Sequence, residues 1–120
     1  MNILPSEPID LNAYHQAISH SYANHILTNA NDHVVRISIM TEEFYWHYHP
    51  NSDETFIVLD GILLLDLETG TSEIAKGGMI TVPANVRHRT RPKGNRSVNL
   101  TFELGDMETV RVEMNNTQPG

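Results

Sequence analysis

A chain of 120 residues holds one hydrophobic core and is too short for two substantial domains. Its formal net charge of −7 and pI near 5.3 argue against nucleic acid or an anionic membrane surface as the main partner. The lack of cysteine excludes disulfides, thiolate catalysis and thiolate-bound zinc, and fits a reducing compartment.

At the N-terminus, Met1 to Glu7 has neither a basic start nor a long apolar segment, and no later apolar run approaches the length of a membrane span. The default expectation is a cytoplasmic protein that contacts neither membrane nor nucleic acid. Residues 1–30 read as an N-terminal arm, extended over 1–10 by Pro5 and Pro8. Asp10 is a natural N-cap for a short helix with Leu11, Tyr14 and Ile18 along one side. His15, His20 and His25 recur every five residues, which does not keep them on one helical face, and no carboxylate is placed to join them; they read as solvated polar positions. His33, after Asn31-Asp32, reads as a turn residue.

A β-rich domain is expected over 31–114. Val34 to Met40 alternates as a strand, with Val35, Ile37 and Ile39 towards the core. Phe44-Tyr45-Trp46-His47-Tyr48-His49 and Glu54-Thr55-Phe56-Ile57-Val58-Leu59 are rich in β-favouring residues and predict strands over 43–49 and 54–60. Pro50-Asn51-Ser52-Asp53 between them has the composition of a four-residue hairpin turn, which would set Glu54 opposite His49 and leave Asp53 in the turn. Alternate residues of a strand share a face, so His47 and His49 emerge on one side, roughly 7 Å apart.

Phe56 to Leu59 and Ile62 to Leu65 are apolar on both faces, so both faces need cover. A second subunit would supply it, and a homodimer is expected; cover by residues 1–30 of the same chain is the alternative. Gly61 suits a bend or bulge. Turns follow at Glu68-Thr69-Gly70-Thr71 and Lys76-Gly77-Gly78, with short strands over Ser72–Ala75 and Met79–Val82, a turn at Pro83-Ala84-Asn85, and His88 early in the next strand.

Arg87, Arg89 and Arg91 alternate with His88 and so point away from it; with Lys93 and Arg96 they read as a charged outer face. Between 97 and 104, Val98, Leu100, Phe102 and Leu104 share one face and Ser97, Asn99, Thr101 and Glu103 the other, a half-buried pattern. Val110 to Met114 reads as a last strand and 115–120 as a loose tail.

His47, His49, Glu54 and His88 together make a ligand set for one divalent transition metal, Fe, Mn, Ni or Zn, with positions left for water or substrate. Tyr45 shares the parity of the two histidines, Phe56 and Val58 that of Glu54, and Thr90 that of His88. Phe56, Val58 and Thr90 are therefore the expected substrate pocket. Tyr45 and Glu43 are the nearest candidates for a catalytic acid or base, while Trp46 and Tyr48 face outwards.

His47-x-His49-x4-Glu54-x6-Gly61 resembles the first motif of the cupin superfamily, and Gly77-x5-Pro83-x-Asn85-x2-His88 most of the second. The chain departs from the pattern in lacking the glycine usual before the first histidine, in Asn85 where glycine is common, and in Pro92 where asparagine often stands. None of these removes a ligand, and asparagine tolerates a left-handed turn. The resemblance implies an all-β, jelly-roll barrel with the metal inside it. It implies either a metal-dependent enzyme acting on a small oxygen-containing molecule, of dioxygenase, isomerase or lyase type, or a sensor or carrier that binds a sugar or metabolite without turnover.

Overall fold

The structure is a computed structural model describing residues 6–18 and 22–114. Within them a short helix, α1 (Leu11–Gln16), precedes strands β1 (Ala23–Ala30), β2 (His33–Met40), β3 (His47–Tyr48), β4 (Glu54–Asp60), β5 (Ile62–Leu67), β6 (Gly70–Ala75), β7 (Met79–Val82), β8 (His88–Pro92), β9 (Ser97–Leu104) and β10 (Val110–Arg111). All pairings are antiparallel and sort the strands into two five-stranded sheets, ordered β1-β2-β9-β4-β7 and β10-β3-β8-β5-β6. The chain passes repeatedly from one sheet to the other, as the expected jelly-roll barrel requires. No helix among the described residues is long and apolar enough to cross a membrane.

The sheet begins earlier than the sequence suggests. Ala23–Ala30 lies within the stretch read as an arm, yet it pairs with β2 from Ala23↔Ile39 to Ala30↔His33. Asn31, at φ 55°, turns the chain between them, and His33 is the first residue of β2. The strand escapes the hydrophobic pattern because Leu27 is its one buried residue.

The expected hairpin of 43–49 with 54–60 does not form. Only His47–Tyr48 is regular strand in the first arm; it sits in the second sheet between β8 and β10, whereas β4 lies in the first sheet between β9 and β7. The intervening turn is held elsewhere: the Asn51 side chain donates to the Asp106 carbonyl (3.1 Å) and accepts from Glu108 N–H (2.8 Å), and Ser52 Oγ accepts from Leu104 N–H (3.0 Å). Pro50 has no N–H for a ladder. At the C-terminal end, Val110–Arg111 alone is strand, shorter than the expected 110–114.

Two cores flank the first sheet. Met40, Phe56, Val58, Leu63, Leu65, Ile74 and Val82 fill the closed part of the barrel. Leu27, Ile37, Ile39, Val98 and Leu100 form a second core outside it, joined by Leu11, Tyr14 and Ile18 of the helical segment and by Ile57 and Leu59. Residues of the same chain thus cover the outer face of β4. The apolar residues of β2 and β9 face this outer core, and the polar alternates Arg36, Ser38, Asn99, Thr101 and Glu103 are left to face the barrel interior.

Asp10 caps α1 by accepting from Ala13 N–H at 3.1 Å. His15, expected in solvent, is 2% exposed, because Arg96 donates to the carbonyls of His15 (3.0 Å) and Ile18 (3.3 Å) and draws the helix end onto the sheet. Burial lowers its pKa. His25 is exposed, as expected, and His20 lies outside the described residues.

On the outer face of the second sheet, buried Asp66 accepts from Arg91 (2.8 and 3.0 Å), Arg89 (2.9 Å) and Thr71 (2.6 Å). Arg89 also lies over Trp46, and Arg87 over Tyr48. The arginines do point away from the ligands, and they neutralise a buried carboxylate.

Gly61, at φ 70°, stands where β4 meets a bulge, and a methyl group there would collide with the Arg96 carbonyl oxygen. Gly61→Ala is expected to cost about 2 kcal/mol or more in urea unfolding. Hydrogen bonds from Arg91, with those from Thr71 and Arg89, hold the Asp66 pKa well below its ordinary value. A carboxylate with a depressed folded pKa stabilises the fold above its unfolded value and loses that effect as pH falls through the folded one. Asp66→Asn should therefore cost about 2 kcal/mol at pH 7, and the difference from the unsubstituted protein should shrink in acid below about pH 4.

Candidate metal centre

The second sheet supplies two of the four ligands from neighbouring strands, since His47 on β3 pairs directly with His88 on β8. His49 follows β3 by one residue, and Glu54 opens β4 in the opposite sheet. The acidic ligand thus arrives from across the barrel, not from a hairpin partner. All four are buried, and one donor atom from each lies within 4.8 Å of the others.

Ring orientation decides whether these side chains suit a metal. His47 Nδ1 lies 2.8 Å from the Tyr45 carbonyl, His88 Nδ1 2.9 Å from the Val86 carbonyl, and His49 Nδ1 3.0 Å from the Glu108 carbonyl. A carbonyl only accepts, so each Nδ1 carries the proton and donates. Every ring therefore turns Nε2 inwards, the tautomer that metal-ligating histidines use. His49 and His88 Nε2 lie 3.1 and 3.3 Å from the same oxygen of Glu54.

Charge at the centre follows from these contacts. Burial alone would raise the Glu54 pKa, but the imidazoles of His49 and His88, whose Nε2 atoms donate to it when those rings are protonated, reverse this and lower it to about 2. Burial also opposes charge on His49, yet its bond to Glu54 prevails and its pKa is raised. His47 has no such contact with the carboxylate; burial, followed by repulsion from His88, lowers it to about 4. One carboxylate and three imidazoles meet with Nε2 and Oε atoms converging, which fits a single divalent ion of the transition series.

A cavity of about 220 Å³ opens beside the ligands. Phe56 and Thr90 line it, whereas Val58 shares their inward parity but is packed in the closed core and is not on the cavity wall. Tyr45 lines it too, its ring stacked on Phe44 and covered by Arg111 (4.8 Å). Glu43 does not. Its side chain is 60% exposed and binds Arg89 on the outside at 3.0 Å, because residues 41–46 are not strand and the alternation that would place it with Tyr45 does not hold there. Sequence reasoning missed the inward polar face of β2 and β9, with Arg36, Ser38, Asn99, Thr101 and Glu103 on the cavity wall. The alternation at 97–104 was visible, but the face that went inwards was the polar one.

One equivalent of Zn(II) or Mn(II) should bind per chain in equilibrium dialysis, and at 100 times Kd should stabilise the fold by about 2.7 kcal/mol. A chelator should remove that gain, and His47→Ala or His88→Ala should abolish it. Because the ion must displace protons from imidazole, affinity should fall as pH drops towards and below about 6.5.

A family model described as a cupin domain matches residues 33–102. The uncharacterized protein YdbB of Bacillus subtilis is 40% identical over 97 residues, 80% of this chain and 85% of that one. Among solved structures, a cupin-2 domain protein from Shewanella frigidimarina is similar at a TM-score of 0.74 and 24% identity, covering 80% of this chain and 93% of that one. The DMSP lyase DddQ of Ruegeria pomeroyi matches at 0.67 and 18% identity, covering 77% of this chain and 52% of that one. At such identities the likeness to the solved structures is one of fold.

Proposed function

The chain belongs to the cupin family, and from that premise we propose that it is a metal-dependent enzyme for a small oxygen-bearing organic molecule. The observation that carries this reading is the four-ligand cluster opening directly onto a cavity. Four protein donors leave coordination positions on an ion that favours five or six, and the cavity is where a substrate oxygen would take one.

When bound, the ion would supply Lewis-acid polarisation of a substrate oxygen, or redox chemistry if it is iron, manganese or nickel. The chain's own residues do the rest. Backbone carbonyls of Tyr45, Val86 and Glu108 lock the ring orientations, so ligand geometry is set before substrate arrives. Phe44, Phe56 and Met40 give the cavity an apolar side that limits water, while Thr90 and Tyr45 offer hydroxyl-bearing side chains next to the ligands. Tyr45 is the residue placed to hand a proton to, or take one from, a bound molecule. DddQ is by name a lyase, and elimination assisted by a metal stands among the reactions this arrangement suits, beside isomerisation and oxygenation.

The second reading is a sensor or carrier that binds without turnover. It is favoured by the lack of a second acidic or basic side chain among the described residues that both lines the cavity beside the ligands and is free of a structural partner.

The same reading includes a cytoplasmic homodimer. Tyr22 and Ile26, 51% and 47% exposed beside and on the edge strand β1, are surfaces for a second copy.

The test is turnover by metal-loaded protein on diketones, catechols and hydroxyketones, followed by mass spectrometry and oxygen uptake. Conversion that drops at least about 100-fold in Glu54→Gln is expected. Molecules that raise the melting temperature yet return chemically unchanged would establish the binder instead.

A further inference from the structure

The β9 wall of the cavity, beside Glu54 on β4 and facing the histidines of the other sheet, carries polar groups whose hydrogen bonding is incomplete. Cross-strand rungs Ser38↔Asn99↔Val58 and Arg36↔Thr101↔Phe56 put these β9 side chains on the inner face. Asn99 and Glu103, each 1% exposed, line the cavity.

Each has one oxygen without a hydrogen-bond partner among the described residues: Asn99 Oδ1 and Glu103 Oε1. The amide orientation of Asn99 is set by its Nδ2, which faces the Leu100 carbonyl at 3.3 Å, so the orphan atom is the acceptor. Glu103 Oε2 accepts from Arg36 Nε at 2.7 Å, and the carboxylate's other oxygen remains. Leaving a buried polar atom unpaired costs about 1–3 kcal/mol. Two such acceptors beside one cavity are a cost that a ligand with matching donors would relieve.

We propose that Asn99 and Glu103, braced by Arg36, form a second anchoring subsite that binds hydroxyl groups on the tail of a substrate whose head oxygen reaches the metal. The inference rests on the metal-centre reading and narrows its substrate class to small polyhydroxylated carbonyl compounds. An anionic tail is disfavoured, because both orphan atoms are acceptors and the nearby cation, Arg36, is already paired. An ammonium tail is disfavoured as well, because the same guanidinium neutralises Glu103. The cavity of about 220 Å³ corresponds to roughly seven water volumes, which is room for a short carbon chain.

Calorimetry on Zn(II)-loaded protein with two probes tests the assignment. Hydroxyacetone and erythrulose share a hydroxyketone head, and only erythrulose carries a hydroxylated tail. Erythrulose should bind at least about tenfold more tightly. Asn99→Leu should remove most of that preference, leave hydroxyacetone binding and zinc content unchanged, and raise the melting temperature, since an unpaired buried acceptor is gone. Glu103→Gln, which turns an N–H towards the cavity while its carbonyl oxygen keeps Arg36, should also lose the preference.

If erythrulose binds no better than hydroxyacetone, or if both variants retain the preference, the subsite is wrong while the metal centre stands. If the protein takes up no divalent ion yet still prefers erythrulose through Asn99, the metal reading fails and the subsite survives. A fall in melting temperature in Asn99→Leu, with both probes weakened alike, would mark Asn99 as structural.

Discussion

Three hydrogen bonds from imidazole Nδ1 to backbone carbonyls set the character of this molecule. Each fixes a tautomer, and together they turn three Nε2 atoms and one carboxylate oxygen towards a common point inside a barrel. The bonds of His47 and His88 are local, each to the carbonyl two residues before, whereas His49 finds the Glu108 carbonyl, and the three rings meet, only once the barrel has closed. The crossing of the chain between sheets at 49–54 is the step that brings Glu54 to face the histidines. Asn51 and Ser52 hold that crossing by bonding to the 104–108 segment, the same segment that orients His49. Fold and site therefore share their fastenings.

The interior is divided along its length. One end is a dry core of Leu63, Leu65, Val58 and their neighbours; the other is polar, with the histidines on one sheet and Glu54 beside the β9 wall on the other. This division is possible because the apolar residues of β2 and β9 are not needed inside. They are spent on an outer core closed by Leu11, Tyr14 and Ile18, which Arg96 fastens by its bonds to the end of the helical segment. The short N-terminal helix thus bears on function indirectly: by covering the outer face, it frees the inner face of two strands for polar side chains. The buried Asp66 with Arg89 and Arg91 plays the corresponding part outside the second sheet, where three charges hold β5 and β8 together with Thr71 of β6.

Most of the ligand cluster was legible because it is a matter of spacing and parity. His47 and His49 share a face in any extended chain, and the Gly77 to His88 stretch folds much as read, with Met79–Val82 as strand and Asn85 at φ 71° in the turn. What was not legible is long-range. Local sequence gave Pro50 to Asp53 the look of a hairpin turn, and nothing within those residues reveals that Asn51 and Ser52 find partners more than fifty positions away. Alternation at 97–104 announced two faces, but which faces inwards depends on α1, a separate element with its own apolar side. The strand at 23–30 has a single buried residue, so its pairing comes from the Asn31-Asp32 turn and from β2's backbone, which hydrophobic periodicity does not register.

X-ray absorption at the zinc edge of the loaded protein reads the coordination shell itself. The structure predicts three imidazole nitrogens and one carboxylate oxygen at about 2.0–2.2 Å, with the multiple scattering that imidazole rings produce. A shell with one histidine or none, dominated by water or surface carboxylates, would contradict it.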